Sequence, residues 1–72
     1  MEHKIEFIHA LGDILRKYSQ EDVDKIEYEY KISVDVEYAV ITYKNGYVKK
    51  VCITGDSCIA IMNDIYRAML LL

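Results

Sequence analysis

Apolar residues recur at spacings of three and four near the start of the chain. Phe7, Ile8, Leu11, Ile14, Leu15 and Tyr18 share one broad helical face, and the spacing predicts a helix over residues 4–19. Gly12 interrupts the pattern at a cost of about 1 kcal/mol relative to Ala. The helix is expected to end near Ser19, before the acidic stretch Gln20–Asp24. From Ile26 the period drops to two. Ile26, Tyr28, Tyr30, Ile32, Val34, Val36, Tyr38 and Val40 alternate with Glu27, Glu29, Lys31, Ser33, Asp35 and Glu37. Tyr, Ile and Val suit a half-buried pleated surface, so this stretch reads as strand. It is too long for one ordinary strand of about five or six residues, which places a bend or tight turn near Ser33–Asp35.

Asn45-Gly46 lies between two β-rich runs and predicts a two-residue type I′ hairpin turn, whose central residues both need positive φ. That turn pairs Lys44 with Tyr47. It then sets Tyr43 opposite Val48, Ile41 opposite Lys50, Val40 opposite Val51 and Tyr38 opposite Ile53. In this register Tyr38, Val40, Val51 and Ile53 share one face, and Ala39, Ile41, Tyr43, Val48 and Cys52 share the other. Both faces carry apolar groups, so one layer of helices leaves apolar surface over. Thr54-Gly55-Asp56-Ser57 reads as a turn into a second helix over 58–71, with Asp56 or Ser57 as its cap. Cys58, Ile59, Ile61, Met62, Ile65, Tyr66, Met69 and Leu70 cover most of its circumference, against Asn63, Asp64 and Arg67 as the strongly polar positions. A helix that is apolar nearly all round is usually buried on more than one side.

The predicted order is α-β-β-β-α in a single domain spanning 1–72. The expected fold is α+β: a three-stranded antiparallel sheet with two helices packed on one face. A chain of 72 residues buries about 60% of its unfolded surface. Burial and conformational entropy then nearly cancel at this size. Pairing with a second copy would remove more apolar surface from water. The expected dimer face draws on Met62, Tyr66, Met69 and Leu70, with Ile41, Tyr43 and Val48 behind them.

Charge adds a second surface. The net charge is −3, which argues against general nucleic-acid binding. Residues 21–37 carry a net −5, and residues 38–55 a net +3. Glu27, Glu29, Asp35 and Glu37 are expected to point outward as a row of carboxylates about 7 Å apart within each alternating segment. Such a row, flanked by Tyr, suits a basic groove on a partner protein.

Candidate chemistry is sparse. His3 and His9 stand six apart and so do not share a helical face, and Cys52 and Cys58 form no CxxC pair. Neither a metal site nor any other cofactor is expected. No serine or cysteine sits in a nucleophile elbow, and no Gly-rich phosphate loop is present, so no catalytic residue is assigned. No apolar run reaches the roughly 18 residues needed to cross a bilayer, and no export signal is visible. The expectation is a cytoplasmic protein without a membrane partner.

The α-β-β-β-α order resembles the double-stranded-RNA-binding domain family. Tyr28-Glu29-Tyr30, the hairpin Tyr43-Lys44-Asn45-Gly46, and Gly55-x-Ser57 opening a helix with Ala60 and Ala68 match it loosely. The family's lysines after that Ser are replaced here by Cys58, Ile59, Ala60 and Ile61, so its RNA contact does not carry over. What the resemblance implies is a dimerisation or protein-docking role. In size, acidity and lack of catalytic groups, the chain is also similar to small phage-encoded inhibitors of host defence such as anti-CRISPR proteins. That analogy suggests an inhibitor of a nucleic-acid-processing or defence protein. The expectation is thus a non-catalytic, homodimeric protein-interaction module. A small enzyme or a nucleic-acid-binding domain are the rival classes.

Overall fold

The computed structural model of the chain describes residues 2–18 and 23–70. The order is α1 (Glu2–Tyr18), β1 (Val23–Lys31), β2 (Val36–Tyr43), β3 (Val48–Cys52) and α2 (Cys58–Leu70). The strands form one antiparallel sheet in the order β1-β2-β3. Both helices pack on the same face of it, α1 against β1 and α2 beside β3. The helix ends expected at Ser19 and Leu71 lie outside the described residues.

The long alternating stretch breaks at Ile32–Asp35. Val34 N–H donates to the Lys31 carbonyl at 3.3 Å, and Asp35 takes a left-handed φ of 52°. Asp enters that region more readily than most residues because its short polar side chain bonds locally. Here Asp35 Oδ1 accepts the Tyr30 hydroxyl at 2.6 Å. An aspartate therefore does what Gly does in most tight turns.

The second hairpin differs from the sequence expectation by one residue. Gly46 N–H donates to the Tyr43 carbonyl at 2.9 Å, and Tyr43 N–H donates to the Tyr47 carbonyl at 2.8 Å. Gly46 alone in this loop has positive φ, at 91°. The connection is thus a three-residue loop, a turn closed by a left-handed Gly, and not a two-residue type I′ turn. Asn45 serves it through its side chain, which accepts Tyr47 N–H at 3.0 Å. The register becomes Thr42 opposite Val48, Ile41 opposite Lys49, Val40 opposite Lys50, Ala39 opposite Val51 and Tyr38 opposite Cys52.

A shift of one residue exchanges faces. Val51 and Ile53 join Ala39, Ile41 and Tyr43 beneath the helices, while Val48 and Cys52 join Tyr38 and Val40 on the open side. The inner face is therefore far more apolar than the outer one. A bulge between Val23 and Lys25 adjusts β1, so that Val23 and Ile26 both reach the core. That core comprises Ile8, Val23, Ile26, Ala39, Ile41, Tyr43, Ile53, Ile61 and Ile65. Ile41 and Tyr43, expected at a dimer face, lie inside the subunit because the helices cover the face of β2 that carries them.

Gly12 permits this packing. A Cβ built there would lie 2.7 Å from the Ile26 backbone nitrogen. The residue that costs helix propensity is the one that lets α1 touch β1. At the other end of the sheet's helix layer, Ser57 caps α2: its Oγ accepts Ala60 N–H at 3.2 Å and its carbonyl accepts Ile61 N–H at 2.9 Å.

Gly12→Ala should lower stability by about 2 kcal/mol in urea denaturation, because overpacking outweighs the gain of about 1 kcal/mol in helix propensity. A stabilised variant would contradict the close crossing of α1 over β1.

Candidate interaction surface

Glu37, expected outward in the acidic row, is 7% exposed. It stands on β2 opposite Tyr30, on the helix side of the sheet. Its carboxylate accepts Lys4 Nζ at 2.9 Å, the Tyr28 hydroxyl at 2.6 Å and Gly55 N–H at 3.1 Å. Its backbone is held as well: Glu37 N–H donates to Thr54 Oγ1 at 3.0 Å, and Ile53 N–H donates to its carbonyl at 2.9 Å. The hydrogen bonds from Tyr28 and Lys4 hold its carboxyl down at about 2, against an ordinary 4.5. Burial and the bond to Glu37 push the Tyr28 hydroxyl up to about 12. Glu37 is therefore a structural anchor.

The other members of the row are dispersed. Glu27 and Glu29 lie on the open face of the sheet, 3.5 Å from Lys25 and 3.1 Å from Lys50. Lys50 also lies 5.6 Å above the Tyr38 ring. Asp35 sits in the first hairpin turn, where its bond from Tyr30 raises the phenol's pKa. The charges of the open face thus meet partners within the subunit, around a half-exposed stripe of Val36, Tyr38, Val40 and Thr42. Val48 sits exposed on this same side.

A polar cleft at the Glu37 end is lined by Lys4, Tyr30, Asp35, Glu37, Thr54 and Gly55. Its polar side chains bond largely to one another. Beside it, a hydrogen bond with Asp64 raises the Asp56 pKa above the ordinary carboxylate value. The Cys52 thiol is lowered by its bond to Thr54, at 3.5 Å. Cys52 and Cys58 are both free thiols. Among the described residues no three His, Cys, Asp or Glu side chains converge as a metal site, and no helix is long and apolar enough to cross a membrane.

The opposite end of the helix layer carries a groove of about 380 Å³ between α1 and α2. Leu11 and Leu15 line it from α1, and Met62, Ile65, Tyr66, Met69 and Leu70 from α2. Ile65 forms the floor and belongs to the core, and Met69 packs against that core from above. Met62, Tyr66 and Leu70 are exposed, as are Ile14 and Tyr18 on α1 and Ile59 on α2. Met62, Tyr66, Met69 and Leu70, which the sequence assigned to a contact face, are thereby gathered in one place.

Leu11, Ile14, Leu15 and Tyr18 fall on the one broad face that the spacing predicts for α1, of which Leu11 and Leu15 pack against the core and Ile14 and Tyr18 stay exposed. The width of the α1 stripe, which spans more of the helix than one sheet contact needs, is the signal that part of it stays uncovered. The groove offers shape and apolar surface, suited to side chains of another polypeptide. No family model, no curated protein and no solved structure matches this chain.

Above pH 4.5 the low carboxyl pKa of Glu37 contributes its full stabilisation, which is lost as the pH falls toward 2. Glu37→Gln should cost about 3 kcal/mol at neutral pH, since it breaks a buried ion pair. The stability gap between wild type and variant should narrow through that acid window in urea titrations. A gap that stays constant there would show that Glu37 does not hold this network as a carboxylate.

Proposed function

We propose that this protein is a non-catalytic protein-interaction module whose docking surface is the apolar groove between α1 and α2. One observation carries the reading: Met62, Tyr66 and Leu70 stay exposed where α2 lines the groove, and Ile14, Tyr18 and Ile59 stay exposed elsewhere on the same two helices. Monomeric proteins rarely leave contiguous apolar patches beyond about 300–600 Å² in water, and larger patches mark contact sites. Taking about 150–250 Å² for a large side chain, the exposed fractions of Ile14, Tyr18, Ile59, Met62, Tyr66 and Leu70 amount to roughly 700 Å², somewhat under half of it from the groove-lining Met62, Tyr66 and Leu70. The polar cleft offers less support for chemistry, because its donors and acceptors are largely committed to each other. Glu27 and Glu29, on the far side of the sheet, are the carboxylates available to a basic protein once their lysine partners are displaced. That is the surface on which an inhibitor of a nucleic-acid-handling protein would depend.

A photo-crosslinking residue in place of Tyr66 tests the reading, with the same group in place of the exposed Tyr47 as reference. The Tyr66 position should give protein adducts in purified protein or native extract, and the Tyr47 position should not. Adducts at Tyr47 with none at Tyr66 would place the contact surface elsewhere.

A further inference from the structure

We infer that the occupant of the groove is a second copy of this chain, set antiparallel about a twofold axis close to Met62 and Tyr66. This rests on the reading of the groove as a docking surface. A helix advances about 100° per residue. On that wheel Leu15, Leu11, Tyr18, Phe7 and Ile14 follow one another from the sheet side of α1 to its outer side. Met69, Met62, Tyr66, Ile59 and Leu70 do the same around α2, in the opposite rotational sense.

The helices run in the same direction across the sheet. Lys4 of α1 and Gly55, just before α2, meet at Glu37, whereas Ala68 near the end of α2 accepts Lys49 Nζ at 2.8 Å at the other end. For two helices so aligned, arcs of opposite sense face each other across the groove and continue onto its rims.

The form of this surface selects its occupant. Positions 7, 11, 14 and 18 and positions 59, 62, 66 and 69 alternate steps of four and three. That is the spacing of an apolar helical stripe, whose matching cover is another helical face. A single foreign helix would fill the groove but leave Ile14, Tyr18 and Ile59 in water, whereas a facing pair of helices covers them. The exposed apolar area, roughly 700 Å², is close to the ~800 Å² that each partner contributes to a standard interface. Charge does not call for a different partner. Asp13, Arg16 and Lys17 on α1 and Asp64 and Arg67 on α2 mix both signs, and Arg16 already lies 3.6 Å from Asp13. In a twofold contact each residue pair occurs twice. The centre of the exposed α2 row lies between Met62 and Tyr66, so Ile59 of one copy meets Leu70 of the other.

The test uses the full chain with Cys52→Ala and Cys58→Ala. In that background Met62→Cys and Tyr66→Cys should each form covalent dimers with a short bis-maleimide crosslinker, and Arg67→Cys, on the opposite flank of α2, should not. Without the new cysteines the protein should sediment at twice its 8.4 kDa mass. Tyr66→Glu should weaken that association at least about 30-fold, with the far-UV spectrum unchanged because Tyr66 is exposed. Should that variant fail to fold, the cysteine crosslinks still decide. A protein that remains monomeric at high concentration, with crosslinking no faster for Met62→Cys than for Arg67→Cys, would overturn the inference. In that case a photo-adduct at Tyr66 to a different protein leaves the docking groove standing, and no protein adduct at all removes both.

Discussion

The Glu37 carboxylate is shared by Lys4, Tyr28 and Gly55, which belong to the first helix, the first strand and the turn into the second helix. A buried carboxylate is costly to leave without partners, and this one gathers its donors from three parts of the chain. The start of α1 and the approach to α2 are therefore fixed to one end of the sheet. Gly12 brings α1 down onto Ile26 further along. Toward the opposite end, the facing sides of the helices are apolar and meet across a groove instead of closing over it. A polar anchor at one end and an apolar opening at the other give the domain its asymmetry.

The two broad faces are consequently different materials. On the open side of the sheet, Lys25 pairs with Glu27 along β1, Lys50 of β3 reaches Glu29 of β1, and Lys50 also lies over the Tyr38 ring. Such exposed pairs add little stability, but they balance the charge of that face within the subunit. On the helix side, Ile59, Met62, Tyr66 and Leu70 of α2 and Ile14 and Tyr18 of α1 meet water directly. A domain this small has few interior positions, and the hydrophobic effect acts on whatever remains outside.

Periodicity made the elements legible. The change of period from 3.6 to two, and back again, placed α1, the strands and α2, and alternation alone implied the break at Ile32–Asp35. Hairpin register was not legible from Asn45-Gly46, because the same dipeptide closes loops of two and of three residues. The hydrogen bond from Gly46 N–H to Tyr43 decides between them. What depended on register moved with it: Val51 and Ile53 passed to the helix side, and Val48 and Cys52 to the open side. Glu37, which shares a face of β2 with Ile41 and Tyr43, was misplaced with them for another reason. Alternation gives a face but not which face the helices cover, and its donors, Lys4 and Gly55, lie 33 and 18 positions away. That Met62, Tyr66 and Leu70 stay exposed on α2 was legible, because no single sheet can cover a helix so widely apolar.

The central claim is that the seam between the two helices is closed by another molecule of the same chain. Isotope-filtered NOE spectroscopy on a mixture of labelled and unlabelled protein tests it most directly. The account predicts intermolecular contacts from the Met62 methyl to the Tyr66 ring and from Ile59 to Leu70. Intermolecular contacts confined to Val36, Tyr38 and Val40 on the open sheet face, or none at high protein concentration, would contradict it.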